Sequence, residues 1–275
     1  MRGLLICLVL AAPAFPEESA VDIVRKSLEL QNRNFERQKD YAYQARDVIR
    51  EVDGSGRVKT SRSNTYDVLI LYGRPYMRWI EKNGKPLSPS EEAKQEERVR
   101  KEMDKRRKEA GDPAGKARRD YEKRRAEEQK FLNEIPEAYN LKLLGEEIVS
   151  GQPAWKVAAD PKPGYRPRDS RAKMFAKIRG VLWIDKAEHQ WVKIEAEVTD
   201  TISFGFVLAR LSRGTSFRFE QRRVNDEVWL PSHLDIALDA RIGLLKRFHA
   251  GVEITYSNYK KFQTDSRIVS TESIP

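Results

Sequence analysis

The sequence predicts an α+β fold: a strongly curved antiparallel sheet of about ten strands, an open half-barrel with covering helices and one inserted charged helical hairpin. Three observations predict it. Most of the chain outside residues 88–135 alternates apolar and polar residues with period two. Short turn sequences such as Asp53-Gly54-Ser55-Gly56 and Ser150-Gly151 separate the alternating stretches, which is the pattern of a meander. The alternation also leaves one apolar and one wet face, as in an antiparallel sheet packed on one side only.

Taken in order, the 275-residue chain opens with Arg2, an apolar run from Leu4 to Ala12, and Ala12-Pro13-Ala14 before Glu17 and Glu18. This order is that of a secretory signal peptide over residues 1–14, cut after Ala14. The run is far short of the ~20 residues of a membrane-spanning helix. N-terminal sequencing of protein recovered from the cell envelope is expected to begin just after Ala14. An intact Met1 in a cytoplasmic fraction would overturn this. Cys7 is the only cysteine and is lost with the signal, so residues 15–275, read as a single domain, carry no thiol.

Val21, Val24, Leu28 and Phe35 fall at helical spacing between Ser19 and Lys39 and predict one amphipathic helix. Strands follow near 41–52, 58–72 and 76–82. Ser88-Pro89-Ser90-Glu91 is then a capping-box start with proline at the first helical position. Between Glu91 and Lys130 there are 12 acidic and 15 basic residues, so a solvated hairpin split at Gly111-Asp112-Pro113 is expected. Phe131, Leu132 and Ile135 return the chain to the domain.

Strands resume at 141–148, 153–159, 181–185 and 191–198, and again around 217–219, 234–242 and 252–256. Val192, Ile194, Leu234, Ile236, Leu238, Val252 and Ile254 are expected to share the apolar face. Two stretches break the pattern: the basic, Pro-rich Asp160–Gly180 and the apolar Thr201–Leu211. Both are expected to cover that face. For the second, an ordinary core-covering helix is set against a lid or membrane-touching loop formed by Ile202, Phe204, Phe206 and Leu208.

No catalytic, cofactor or metal site emerges. His189, His233 and His249 are isolated, and no nucleophile elbow, phosphate loop or dinucleotide glycine pattern occurs. Enzyme function is therefore not expected, although paired carboxylates such as Glu146-Glu147 leave an envelope hydrolase as a third reading. The net charge of +10 suits anionic partners, and export points away from nucleic acid to an anionic membrane surface. Trp79, Trp155, Trp183, Trp191 and Trp229 all fall on expected strands, as core or around an apolar cavity.

At Gly180-Val181-Leu182-Trp183-Ile184-Asp185, followed by Trp191-Val192-Lys193-Ile194-Glu195, the chain resembles the LolA/LolB-like superfamily of envelope proteins. That resemblance implies a signal peptide, an opening helix, and a bent sheet whose concave apolar face holds acyl chains under covering helices. The charged insertion at 88–135 and the basic stretch at 160–180 are foreign to the compact carriers. Two readings compete. The first is an envelope protein binding an acyl chain, lipoprotein or other apolar ligand in the concave face of the sheet. The second is a non-enzymatic scaffold or interaction protein that docks a partner through the charged hairpin. Oligomeric state is left open.

Overall fold

The structure, a computed structural model, describes residues 18–262 apart from 113–114, 205–208 and 243–245. The expected signal peptide lies outside the described residues. Helix α1 (Ala20–Gln38) is followed by strands β1 (Tyr41–Val52), β2 (Val58–Leu71), β3 (Arg74–Lys82) and β4 (Lys85–Pro86). Helices α2 (Pro89–Ala110), α3 (Lys116–Leu132) and the single turn α4 (Ile135–Ala138) intervene. Then come β5 (Tyr139–Val149), β6 (Gln152–Pro161), a 3-10 helix (Ser170–Lys177), β7 (Ile178–Asp185) and β8 (Trp191–Val198). The chain continues through β9 (Ile202–Phe204), β10 (Ala209–Leu211), β11 (Ser216–Val224), β12 (Val228–Ile242) and β13 (Lys246–Lys261).

All pairings are antiparallel, in the order β4-β3-β2-β1-β13-β12-β11-β8-β7-β6-β5, with β9 and β10 attached beside β12. The sheet stays open between β4 and β5, an open half-barrel as expected. Ten of the strands are the long ones that the alternation predicts. The other three, β4, β9 and β10, have only two or three residues, too few for a period to register.

Helix α1 starts where Ser19 accepts a hydrogen bond from the Asp22 amide. Its first half buries Ile23, Val24 and Leu28 against Val157, Leu182 and Ile184 of the sheet. The second half is held differently. Asn34 is buried, donates to the Trp229 carbonyl (2.9 Å) and accepts from the Trp229 amide (2.8 Å), while Gln38 donates to the same carbonyl (2.8 Å). Asn34→Ala would leave the buried Trp229 N–H without a partner, at an expected loss of ~1–3 kcal/mol. Urea unfolding checks this; an unchanged midpoint would refute it.

Residues 160–180 cover the sheet as expected, the 3-10 helix sending Ala172 and Phe175 into the main core. Glu134 fixes this loop by accepting from the Tyr165 hydroxyl and the amides of Arg168 and Asp169. Burial pushes its carboxyl up, but these donors outweigh that and hold it below the usual glutamate range.

The hairpin forms with its capping box between Ser88 and Glu91, and most of its surface is exposed. It is not merely solvated, however. Arg106 is 8% exposed and donates to the carbonyls of Leu71, Arg74 and Pro75 at the β2–β3 turn. On α3, the Arg125 guanidinium stacks 3.6 Å from the Phe35 ring centre and donates to Asn32 of α1 (3.1 Å). Phe131 stacks on Phe175, centroids 4.6 Å apart. Arg106, Arg125 and one aromatic pair thus help dock a helix pair that has almost no apolar stripe.

Thr201–Leu211 differs from the expected covering helix. Ile202–Phe204 and Ala209–Leu211 are strands, and β10 pairs with β12 through Leu211 opposite Ala240. Both pieces alternate with period two, and the composition-based reading missed it. Phe206, Leu208 and the side chain of Phe204, three of the four expected lid residues, lie outside what is described.

Candidate functional site

Register places the expected apolar residues. Partners in an antiparallel sheet share a face. One row across the sheet therefore runs Val157, Leu182, Ile194, Phe219, Leu234 and Ile254. The next row runs Gly180, Ala196, Phe217, Ile236, Val252 and Ile49. Leu238 stands one step further along β12 on the same side, opposite Ala250.

Val192 is the exception. Ile184 pairs with Trp191 and Trp183 pairs with Lys193, so Val192 is a bulge with no partner of its own in β7. It packs with Ala154, Trp183 and Trp229, apart from the cluster that Ile194 joins. Trp183 stands on the other face, between Lys156 and Lys193, whose ammonium groups lie 5.1 and 4.3 Å from its ring centre. Strict alternation through 192–194 put Val192 on the wrong side, because an inserted residue shifts the phase of the pattern.

The apolar rows are covered unequally. Over β6 and β7, α1, α4 and the 3-10 helix bury Val157, Leu182 and Ile184. Beyond Ile194 the buried clusters do not continue along these rows. Leu234, Ile236, Leu238, Val252, Ile254 and Ile49 are only half-buried, and Phe217 is 37% exposed. The described parts of β9 and β10 extend this surface sideways along the sheet. Ile202, Leu211, Ala240 and Phe248 are successive register partners on the same face as Leu238. From Leu234 to Ala240 the surface runs about 20 Å along the strand, and across β11, β12, β13 and β1 about 14 Å.

A cleft of about 740 Å³ lies on the opposite face, lined by Ala158, Val181, Arg179, Glu195, Arg218 and Asp235 among others. It is polar. Arg179 pairs with Glu197 (2.8 Å) and Arg218 with Glu195 (3.1 Å). The expectation of an apolar ligand in a recess thus divides in two: the apolar surface is the open face on the α1 side, and this recess belongs to the charged face.

Each of the three histidines faces a carboxylate. His189, buried, sits 3.2 Å from Glu18 and packs at a tilt against Trp155. His233 faces Asp235 at 2.8 Å and His249 faces Asp239 at 3.7 Å. Among the described residues no group of three His, Cys, Asp or Glu is arranged to hold a metal ion, and no helix is long and apolar enough to cross a membrane.

No family model matches the sequence, and no curated protein matches it. In structure the chain is similar to a LolA superfamily protein from Nitrosomonas europaea, with 12% identity over 90% of this chain and 94% of that one, TM-score 0.33. It is similar to a domain assigned to outer-membrane lipoprotein sorting from Vibrio parahaemolyticus, with 12% identity over 89% and 95%, TM-score 0.35. A DUF1329 family protein from Desulfovibrio piger gives 14% identity over 91% and 96%, TM-score 0.34. At such identities and TM-scores, the likeness says nothing of ligand, partner or compartment.

Proposed function

We propose that the protein is an exported, non-enzymatic envelope protein that holds an acyl chain, of a lipid or a lipoprotein, against the uncovered apolar end of its sheet. The observation that carries this reading is the half-buried surface around Leu234, Ile236, Leu238, Val252 and Ile254, continued by Leu211 and Phe248. A chain laid on it would lose water from its methylenes at ~0.8 kcal/mol for each one fully buried. Several methylenes would outweigh the entropy of ordering a flexible ligand. The surface is too broad for a lone exposed side chain, and contiguous apolar patches mark binding sites.

Mass spectrometry of lipids extracted from the purified exported protein, together with titration of a fluorescent fatty-acid analogue, tests the proposal. Co-purifying acyl species and saturable probe binding are the expected results. A delipidated protein that binds no acyl probe would end it. The scaffold reading predicts instead that removal of the hairpin abolishes function in cells while probe binding is absent from both proteins.

A further inference from the structure

The charged face ends in opposed arginines on β10 and β12 that pair with no carboxylate among the described residues. Arg210 on β10 stands directly opposite Arg241 on β12, and Arg241 directly opposite the register position of Arg247 on β13. Opposed residues in an antiparallel sheet have Cβ atoms about 4.5–5.5 Å apart, and like charges so placed repel. Folded proteins relieve such contacts with carboxylates, but Arg210 and Arg241 have no ion-pair or hydrogen-bond partner among the described residues. The Nε of Arg210 is buried with its donor unused. Across from Arg210 on β9 is Ser203, which brings no charge. Asp239, the acid nearest along β12, lies beside His249, whose Nδ1 is 3.7 Å away.

The geometry points to a phosphate-binding site formed by Arg210 and Arg241 that takes the head-group phosphate of an anionic lipid. Planar guanidinium forks match phosphate oxygens two at a time, and an anion between opposed arginines turns their repulsion into attraction. The other side of the same strands favours a bilayer surface over free phosphate. At this end of the sheet, Ile202, Leu211, Ala240 and Phe248 form the reverse face of the arginine row. One edge of the sheet is therefore apolar on one side and cationic on the other, which fits the boundary between acyl chains and head groups. This site goes beyond the acyl-chain reading and does not depend on it.

The test uses the full exported protein in flotation with vesicles of phosphatidylglycerol in phosphatidylcholine, and with phosphatidylcholine alone. Inorganic phosphate is titrated separately and followed by thermal shift. The expected result is binding to the anionic vesicles that falls with salt and weakens about fivefold for each arginine lost in Arg210→Gln and Arg241→Gln. Thermal midpoints of these variants should stay level or rise, since each removes a repulsion; a merely structural arginine would lower them. Should the double variant fail to fold, Arg210→Lys with Arg241→Lys decides: charge is kept and the fork lost, so binding should be intermediate. Stabilisation by inorganic phosphate without vesicle binding, lost in the Gln variants, would keep the phosphate site and overturn the lipid source. Equal binding by variants and parent, or no response to either probe, would overturn the site. Binding of the fatty-acid analogue should survive in the Gln variants, which separates this site from the apolar face.

Discussion

Ile236→Lys is expected to weaken binding of a fluorescent fatty-acid analogue by at least tenfold. Ile236 lies near the middle of the half-buried surface, with Phe217 and Val252 as register partners on either side. A lysine there puts a solvated ammonium where the chain would lie, and covering it costs several times the ~0.8 kcal/mol that a buried methylene returns. Because Ile236 is only half-buried, the fold should lose less than a core substitution would, ~1–2 kcal/mol. Stability must be measured beside binding. Ala240→Phe is the complementary probe. In a tight core it would cost ~1–3 kcal/mol through overpacking. On an open face it should cost little and alter probe affinity. Strong destabilisation by Ala240→Phe in a protein that binds no probe would mean that the face is already filled, and the carrier reading would fall.

Arg106→Met should destabilise the fold by ~2–4 kcal/mol, far more than a typical helix-surface substitution. Three carbonyls of the β2–β3 turn accept from this one guanidinium, at 3.0, 2.6 and 3.3 Å, while its Nε donates to Glu102 at 2.6 Å. Methionine keeps the volume and removes every donor. Replacing residues 88–135 by a Gly-Ser linker is a harsher version of the same experiment. The linker variant should still unfold cooperatively, because the cluster of α1 with β6 and β7 does not need the charged helices. It should be less stable than the parent, because Ile135 and the docked Phe131 and Leu132 leave that cluster with the deletion. Urea titration of both variants measures this. A lost cooperative transition would show that the hairpin is integral to the domain, and an Arg106→Met midpoint equal to the parent's would show that its carbonyl contacts contribute nothing.

The contrast between Arg106 and its neighbours shows why part of the molecule was legible and part was not. Helix α1, the ten long strands, the capping box at Ser88 and the break at Gly111 were all readable from the sequence. Each is fixed by residues within a few positions of one another: a period, a cap or a turn. That Arg106, among 15 basic residues in its segment, is the buried one cannot be read from the segment. The carbonyls that receive it come from residues 71–75, and nothing local distinguishes it from Arg107, which is exposed. Val192 failed for the opposite reason. Its local pattern was clear, but pairing with β7 inserted one residue and moved it to the other face.

The same division holds for the candidate sites. By itself, the sequence determined that the sheet has one apolar face, and it named the residues of that face on β12 and β13, because alternation fixes which side chains point the same way. Which end of that face is roofed was decided only by the tertiary structure. Coverage depends on where α1 and the 3-10 helix come to rest against β6 and β7, a matter of long-range packing that no window of sequence contains. The alignment of Arg210 and Arg241 was likewise decided by strand register. Two arginines of no distinction along the chain become one opposed pair only when β10 and β12 lie side by side.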